Sequence, residues 1–248
     1  VPRCGSLSIR PRVRGVDRAV SMSLPAHTGD MRLTHFHHSC VLVEMSETRV
    51  LFDPGTFSHG FEGLTGLDAI VVTHQHPDHI DPARIDALVD ANPDAQLFAD
   101  PTTAAARGGR WIAALPGHDY GIGNLIASAV GGTHAVIHPD LPTIDNTSIL
   151  LGDEERIGRF YHPGDALFVP DVPVDVLGLP VNAPWCRISE TVDFFRAVRP
   201  AVAVPIHDAL LSENGFGVVE KQVKHFSQVY GTEYRHLDTR ESVELHTA

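Results

Sequence analysis

At 248 residues, 43% of them apolar and with no apolar run long enough to cross a bilayer, the chain is sized for one soluble α/β domain. A net charge of −12 excludes a nucleic-acid backbone as the main partner, because such a binder needs a basic patch to displace counterions. Three widely spaced cysteines, Cys4, Cys40 and Cys186, give neither a disulfide framework nor a Cys-x-x-Cys site, which fits a reducing cytoplasm.

Residues 1 to 30 carry five Arg against two Asp, with scattered Ser and Pro and no periodicity. They lack the apolar centre of a secretory signal, so a disordered extension is expected there, ahead of one domain over 31 to 248. From Met31, alternating apolar residues predict strands over 32–36, 40–45 and 49–52, with Ser46-Glu47 as a turn. His37 and His38 fall at the first junction between strands; an isolated histidine is by default structural.

Ala69-Ile70-Val71-Val72 is an apolar β-branched run that reads as a buried strand. Directly after it, Thr73-His74-Gln75-His76-Pro77-Asp78-His79-Ile80-Asp81 packs three histidines and two aspartates into nine residues. Asp81 and Pro82 are suited to an N-cap and a first helical position, predicting a helix over 82–91. A tight strand-to-helix turn lets side chains two and four positions apart converge on one point. Imidazole and carboxylate ligands without a nearby thiolate suit zinc, and also manganese or iron. Asp53, ending the third strand, is suited to brace a ligating histidine rather than to bind metal.

Downstream, a strand over 96–99 and an Ala-rich helix over 102–114 continue the β-α alternation. Strands are predicted over 125–130 and 135–137 around Gly131-Gly132-Thr133-His134, whose glycines permit a sharp bend. His118, His134 and His138 are candidates for a third histidine ligand beside His74 and His76. Strands over 146–151 and 156–161 flank a polar turn and lead to His162-Pro163-Gly164-Asp165; alone, Gly-Asp is only a turn. Buried strands over 174–177 and 201–204 bracket a helix capped by Ser189, and His207 stands just past the second strand. A helix over 216–230 and strands over 234–237 and 243–245 complete the second sheet.

Several of these stretches together are similar to the metallo-β-lactamase superfamily: Phe36-His37-His38-Ser39-Cys40, Leu51-Phe52-Asp53-Pro54, the histidine-rich nonapeptide, Gly131-Gly132-Thr133-His134, Tyr161-His162-Pro163-Gly164-Asp165 and Pro205-Ile206-His207. The set most resembles the bacterial branch that holds the ascorbate-6-phosphate lactonase and is related to the N-acyl phosphatidylethanolamine phospholipase D enzymes. The resemblance implies a four-layer αββα sandwich, two mixed sheets with helices outside, and two metals in a cleft at one edge. It implies His74, His76 and His134 on one cation, Asp78, His79 and His207 on the other, and Asp165 shared. It also implies that His38 lines the site. Two positions depart from the pattern: His37 stands where the family has Gly, and Asp208 where it has Tyr.

The function that follows is hydrolysis of an ester, lactone, amide or phosphodiester bond of a small substrate by a hydroxide bridging two divalent ions, zinc first and manganese or iron next. The leaving group is expected to take its proton from Asp78 or from metal-bound water, with His38 or His162 helping to hold developing charge. No Gly-x-Ser-x-Gly elbow offers a nucleophile of another kind. The alternatives are an iron-dependent oxygenase or oxidase on the same fold, or a non-catalytic scaffold that would lack ligands. Trp185 with Pro184, and the loop over 57–64, are candidates to shape the pocket, although an aromatic after a proline is more often packing. A homo-oligomer is compatible with the composition.

Overall fold

A computed structural model describes residues 30–246. The extension expected at the start of the chain lies outside them except for Asp30, which already opens the first strand. The first sheet begins with three strands, β1 (Asp30–His35), β2 (Val41–Met45) and β3 (Thr48–Phe52), joined as antiparallel hairpins. The β2–β3 turn is Ser46-Glu47, both at positive φ, the conformation two-residue hairpin turns favour. Parallel strands β4 (Ala69–Val72), β5 (Gln96–Ala99) and β6 (Trp111–Ala113) extend this sheet, with α1 (Ile85–Ala91) and α2 (Pro101–Arg107) as crossovers.

The second sheet starts with β7 (Asp119–Ile122), β8 (Leu125–Gly131) and β9 (Thr147–Gly152), all antiparallel, followed by β10 (Phe160–His162). It continues in parallel with β11 (Val176–Pro180), β12 (Val202–Ile206) and β13 (Glu233–Tyr234), connected through α3 (Ile188–Val198) and α4 (Glu213–Tyr230). The last strand, β14 (Ser242–His246), returns to the first sheet and pairs antiparallel with β1. The two sheets are seven-stranded, ordered β14-β1-β2-β3-β4-β5-β6 and β13-β12-β11-β10-β9-β8-β7.

Three apolar clusters define four layers. Phe52 and Val71 of one sheet meet Leu151, Phe160 and Val204 of the other in the central core. Ile85 and Leu88 cover the outer face of the first sheet at Leu51 and Ile70. Phe194, Phe195 and Val223 cover the second at Tyr161 and Leu177. This is the αββα sandwich, buried on both faces of each sheet as parallel strands require. No described helix is long and apolar enough to cross a membrane.

Several local expectations are corrected. The Ala-rich helix stops at Arg107, because Gly108 and Gly109 turn the chain at positive φ, and Trp111–Ala113 forms an edge strand instead. Residues 135–137 form no strand; they belong to a loop over the rim. Asp81 and Pro82 shape a turn, with Asp81 accepting the Ala83 N–H at 2.7 Å, and α1 starts only at Ile85. Ser189 lies inside α3, whose start is fastened by the Glu190 carboxylate accepting the Arg187 N–H at 2.7 Å. The strand near 243–245 joins the first sheet rather than the second.

Candidate metal centre

The nonapeptide leaves the carboxyl end of β4 as a turn anchored by Asp53. The Asp53 Oδ1 accepts the Thr73 N–H at 2.7 Å, and its Oδ2 accepts the Thr73 hydroxyl at 2.8 Å and His79 Nδ1–H at 2.7 Å. His74 Nδ1 lies 3.1 Å from the Thr73 hydroxyl oxygen, which accepts from it because its own proton is given to Asp53. One buried carboxylate thus sets the tautomer of two rings, directly for His79 and through Thr73 for His74. Their Nε2 atoms are left to point into the cleft.

The second sheet supplies the facing wall. Backbone glycines at positive φ, Gly131 and Gly132, bend the chain after β8 so that His134 turns inward. Its Nδ1–H donates to the Ala135 carbonyl at 2.6 Å. Gly164, also at positive φ, allows the loop after β10 to lie against Asn146 and Thr73; an added Cβ would sit 2.3 Å from Asn146 Oδ1. Asn146 Oδ1 accepts the Asp165 N–H at 2.9 Å. His207 follows β12 at positive φ and donates Nδ1–H to the Asn182 carbonyl at 2.6 Å. The two sheets are joined at this rim by the Thr147 N–H to the Thr73 carbonyl, 2.9 Å, and by the His207 N–H to the His38 carbonyl, 2.9 Å.

Two groups of side chains result, His74, His76, His134 and Asp165 in one and His38, Asp78, His79 and His207 in the other; the ligand atoms within each lie within 4.8 Å of one another. His74 Nε2 and His76 Nδ1 are 3.0 Å apart, close to the roughly 3.3 Å separating two nitrogens on one tetrahedral zinc. Asp165 faces both groups. Its Oδ1 is 3.0 Å from His79 Nε2 and 3.1 Å from His207 Nε2, while its Oδ2 is 3.3 Å from His134 Nε2. The buried Nε2 atoms of His79, His134 and His207, and Asp165 Oδ1, have no hydrogen-bond partner among the described residues. Buried polar atoms are normally satisfied, so four orphans converging on one point are suited to cations. The chemistry of the donor set, imidazoles with carboxylates, fits the same ions.

Every residue expected to ligate is therefore in the cleft. His118 and His138, the other candidates beside His134, are exposed and belong to neither group. His38 is buried against Asp78, donating Nε2–H to Asp78 Oδ2 at 3.1 Å while its Nδ1 faces the Ala209 N–H at 3.4 Å. It takes a left-handed backbone, as does His37, a conformation that glycine adopts without strain. Asp208, in place of the family's tyrosine, uses Oδ1 to accept the His38 N–H at 3.1 Å. His162 does not hold charge in the cleft: its Nε2–H goes to the Ser39 carbonyl at 2.9 Å and its Nδ1 accepts the Gly164 N–H at 3.2 Å.

The electrostatics follow from burial and neighbours. Burial lowers His74 well below, and His76 below, the ordinary imidazole value, favouring neutral rings. Burial also lowers His38, to about 4, against the pull of its bond to Asp78. Burial alone would raise Asp78, but the His38 hydrogen bond and the neighbouring His79 outweigh it and hold the carboxyl at about 2. Burial opposes charge on Asp165 as well, yet His79 and His207 keep it well below the usual carboxylate range.

Sequence reasoning gives no role to Thr73 or Asn146, although Thr73 opens the nonapeptide; a polar residue at the edge of a buried strand is the available signal for both. It names Trp185 only as a pocket-shaping candidate. Trp185 donates its indole N–H to Asp165 Oδ2 at 2.7 Å and is not mere packing.

A family model described as "Beta-lactamase superfamily domain" matches residues 32–207, more than half of the chain. The chain belongs to the β-lactamase superfamily. The matched span runs from β1 through the last histidine of the cleft. Protein Rv0786c of Mycobacterium tuberculosis is 57% identical over 188 residues, covering 76% of this chain and 89% of that protein. A UPF0173 metal-dependent hydrolase of Opitutus terrae is 29% identical over 198 residues, covering 71% of this chain and 84% of its own. Igni18, described as a novel metallo hydrolase from the archaeon Ignicoccus hospitalis, superposes with a TM-score of 0.68 at 20% identity, covering 88% of this chain and 100% of the other. At that identity the likeness is one of fold. These relatives carry neither of the branch names the motifs suggested.

Proposed function

We propose that this superfamily member is a metal-dependent hydrolase that holds two divalent cations, zinc first, and cleaves an ester, lactone, amide or phosphodiester bond of a small substrate. The observation that carries the reading is the set of orphaned atoms, His79 Nε2, His134 Nε2, His207 Nε2 and Asp165 Oδ1, all turned to one cleft. The description of the Opitutus terrae relative as a metal-dependent hydrolase supports it. His74, His76 and His134 would hold one cation, Asp78, His79 and His207 the other, with one Asp165 oxygen facing each. Cations bound there would acidify a water between them and polarise the carbonyl or phosphoryl oxygen of the substrate.

The chain's own catalytic group is Asp78, with His38 positioning it. Asp78 is the less buried of the two, with 21% of its side chain exposed, so it can reach a substrate that His38 cannot. As an ionised carboxylate it can take a proton in the cleft and return it to a leaving group. Neutral His38 supports that traffic by donating to Oδ2, which fixes the carboxylate's rotamer and leaves Oδ1 for the exchange.

The experiment is metal analysis of the purified chain together with a panel of chromogenic phosphodiester, lactone and β-lactam substrates, run with zinc and manganese. About two cations per chain are expected, with loss of hydrolysis on chelation and in His76→Ala. Full hydrolysis by a metal-free preparation overturns the proposal. So does iron-loaded protein that consumes oxygen and hydrolyses nothing.

A further inference from the structure

The turn after β11 carries two contacts on the cleft that the proposed ligands do not account for. Ala183 and Cys186 close it as an isolated bridge, with Pro184 and Trp185 at its tip. Proline at the first corner of such a turn has its φ preset, which fixes where the next side chain projects. One residue before, the Asn182 carbonyl receives His207 Nδ1–H at 2.6 Å. At the tip, Trp185 donates Nε1–H to Asp165 Oδ2 at 2.7 Å. Its ring stands edge-on to both His134 and His207, each centroid 6.1 Å away, so it touches a member of each histidine group. Trp185 is 9% exposed and Asp165 is 3% exposed, and their hydrogen bond is therefore made out of water.

An indole N–H can only donate, so Trp185 itself cannot ligate. Its effect is on the carboxylate. Asp165 could rotate about its terminal torsion, which is soft. The N–H occupies one lone pair of Oδ2, directs the other towards His134 and His74, and thereby leaves Oδ1 turned to His79 and His207.

We propose that Trp185 is a positioning residue that orients Asp165 between the two cation sites, and that its indole reports their occupancy. The inference rests on the reading of the cleft as a metal site. Partners of this kind commonly change metal affinity 10- to 100-fold when lost.

The chain has two tryptophans, so Trp111→Phe leaves Trp185 as the one indole. Metal-free wild type, Trp111→Phe and Trp185→Phe are titrated with zinc and with cobalt, following tryptophan fluorescence, and binding is measured separately by calorimetry. The fluorescence response should persist in Trp111→Phe and vanish in Trp185→Phe. The phenylalanine variant keeps the ring and loses the N–H; at least one of its two sites should weaken at least 10-fold. Trp185→Phe that binds both ions as wild type does overturns the inference while leaving the metal site intact. Wild type that binds no cation overturns the metal site itself. Should Trp185→Phe fail to fold, the indole ¹H–¹⁵N resonance of Trp111→Phe decides: a shift on zinc addition upholds the inference, and an unmoved resonance overturns it.

Discussion

Several histidines of this chain serve the backbone rather than the cleft, and His162 is the clearest. It is fully buried, accepts the Gly164 N–H and donates to the Ser39 carbonyl, so it holds the loop that delivers Asp165. Both bonds need the neutral ring with its proton on Nε2. Burial lowers its pKa below the usual imidazole value, against the opposing pull of Asp53. The sign follows. Below about 6.5 the unfolded chain takes up a proton that the folded chain refuses, so the contribution is complete above that pH and is lost as pH falls towards the depressed folded value. His162→Leu should cost about 1–3 kcal/mol at pH 8 by leaving both partners unpaired. Thermal melts of metal-free wild type and variant should show that gap narrowing as pH falls below about 6.5.

At the scale of elements, the decisive join is where the Pro54–Gly55 corner lies against the nonapeptide. A Cβ on Gly55 would stand 1.7 Å from the Asp78 carbonyl oxygen and 2.6 Å from the His79 nitrogen, so the metal turn and this corner touch backbone to backbone. Gly55→Ala should therefore push the turn off its seat, costing about 1–3 kcal/mol as overpacking does. It should also lower bound metal. Gly63→Ala, where nothing lies within 4 Å of the added carbon, is the matched control and should melt with wild type. Metal content and melting temperature of both check this. The nonapeptide was legible because a buried strand, a dense set of imidazoles and a turn coincide within a few residues. His207 and Asp165 were legible only through resemblance, since each is a single residue after a strand. The helix expected over 102–114 forms only as far as Arg107: alanine propensity favours a longer helix, and the two adjacent glycines at positive φ end it. The bond of Trp185 to Asp165 could not be read from the sequence, because the two are 20 residues apart and only the turn after β11 brings them together.

At the scale of the whole molecule, the cleft is a seam. His74, His76, Asp78 and His79 come from the first sheet, whereas His134, Asp165 and His207 come from the second. Cations shared across them would tie the two halves of the sandwich, and only in the folded state. Metal at 100 times its dissociation constant should then stabilise the fold by about 2.7 kcal/mol for each cation site. A chelator should lower the melting temperature accordingly. Equal melting temperatures with and without metal would contradict a site built from both sheets.

The pairing of β14 with β1 sets Asp30 opposite His246 in register. Both lie at the far end of the first sheet from the cleft, since β1 runs from Asp30 towards His38. The exposed turn at Asp153-Glu154-Glu155, between β9 and β10, sits at that same far end of the second sheet. Residues 30 and 246 can therefore be spliced by a short glycine-serine bridge and new termini opened at Glu154, giving a circular permutant with every strand kept. Such a permutant should retain the parent's cation stoichiometry, because the rearranged connections are all remote from the cleft.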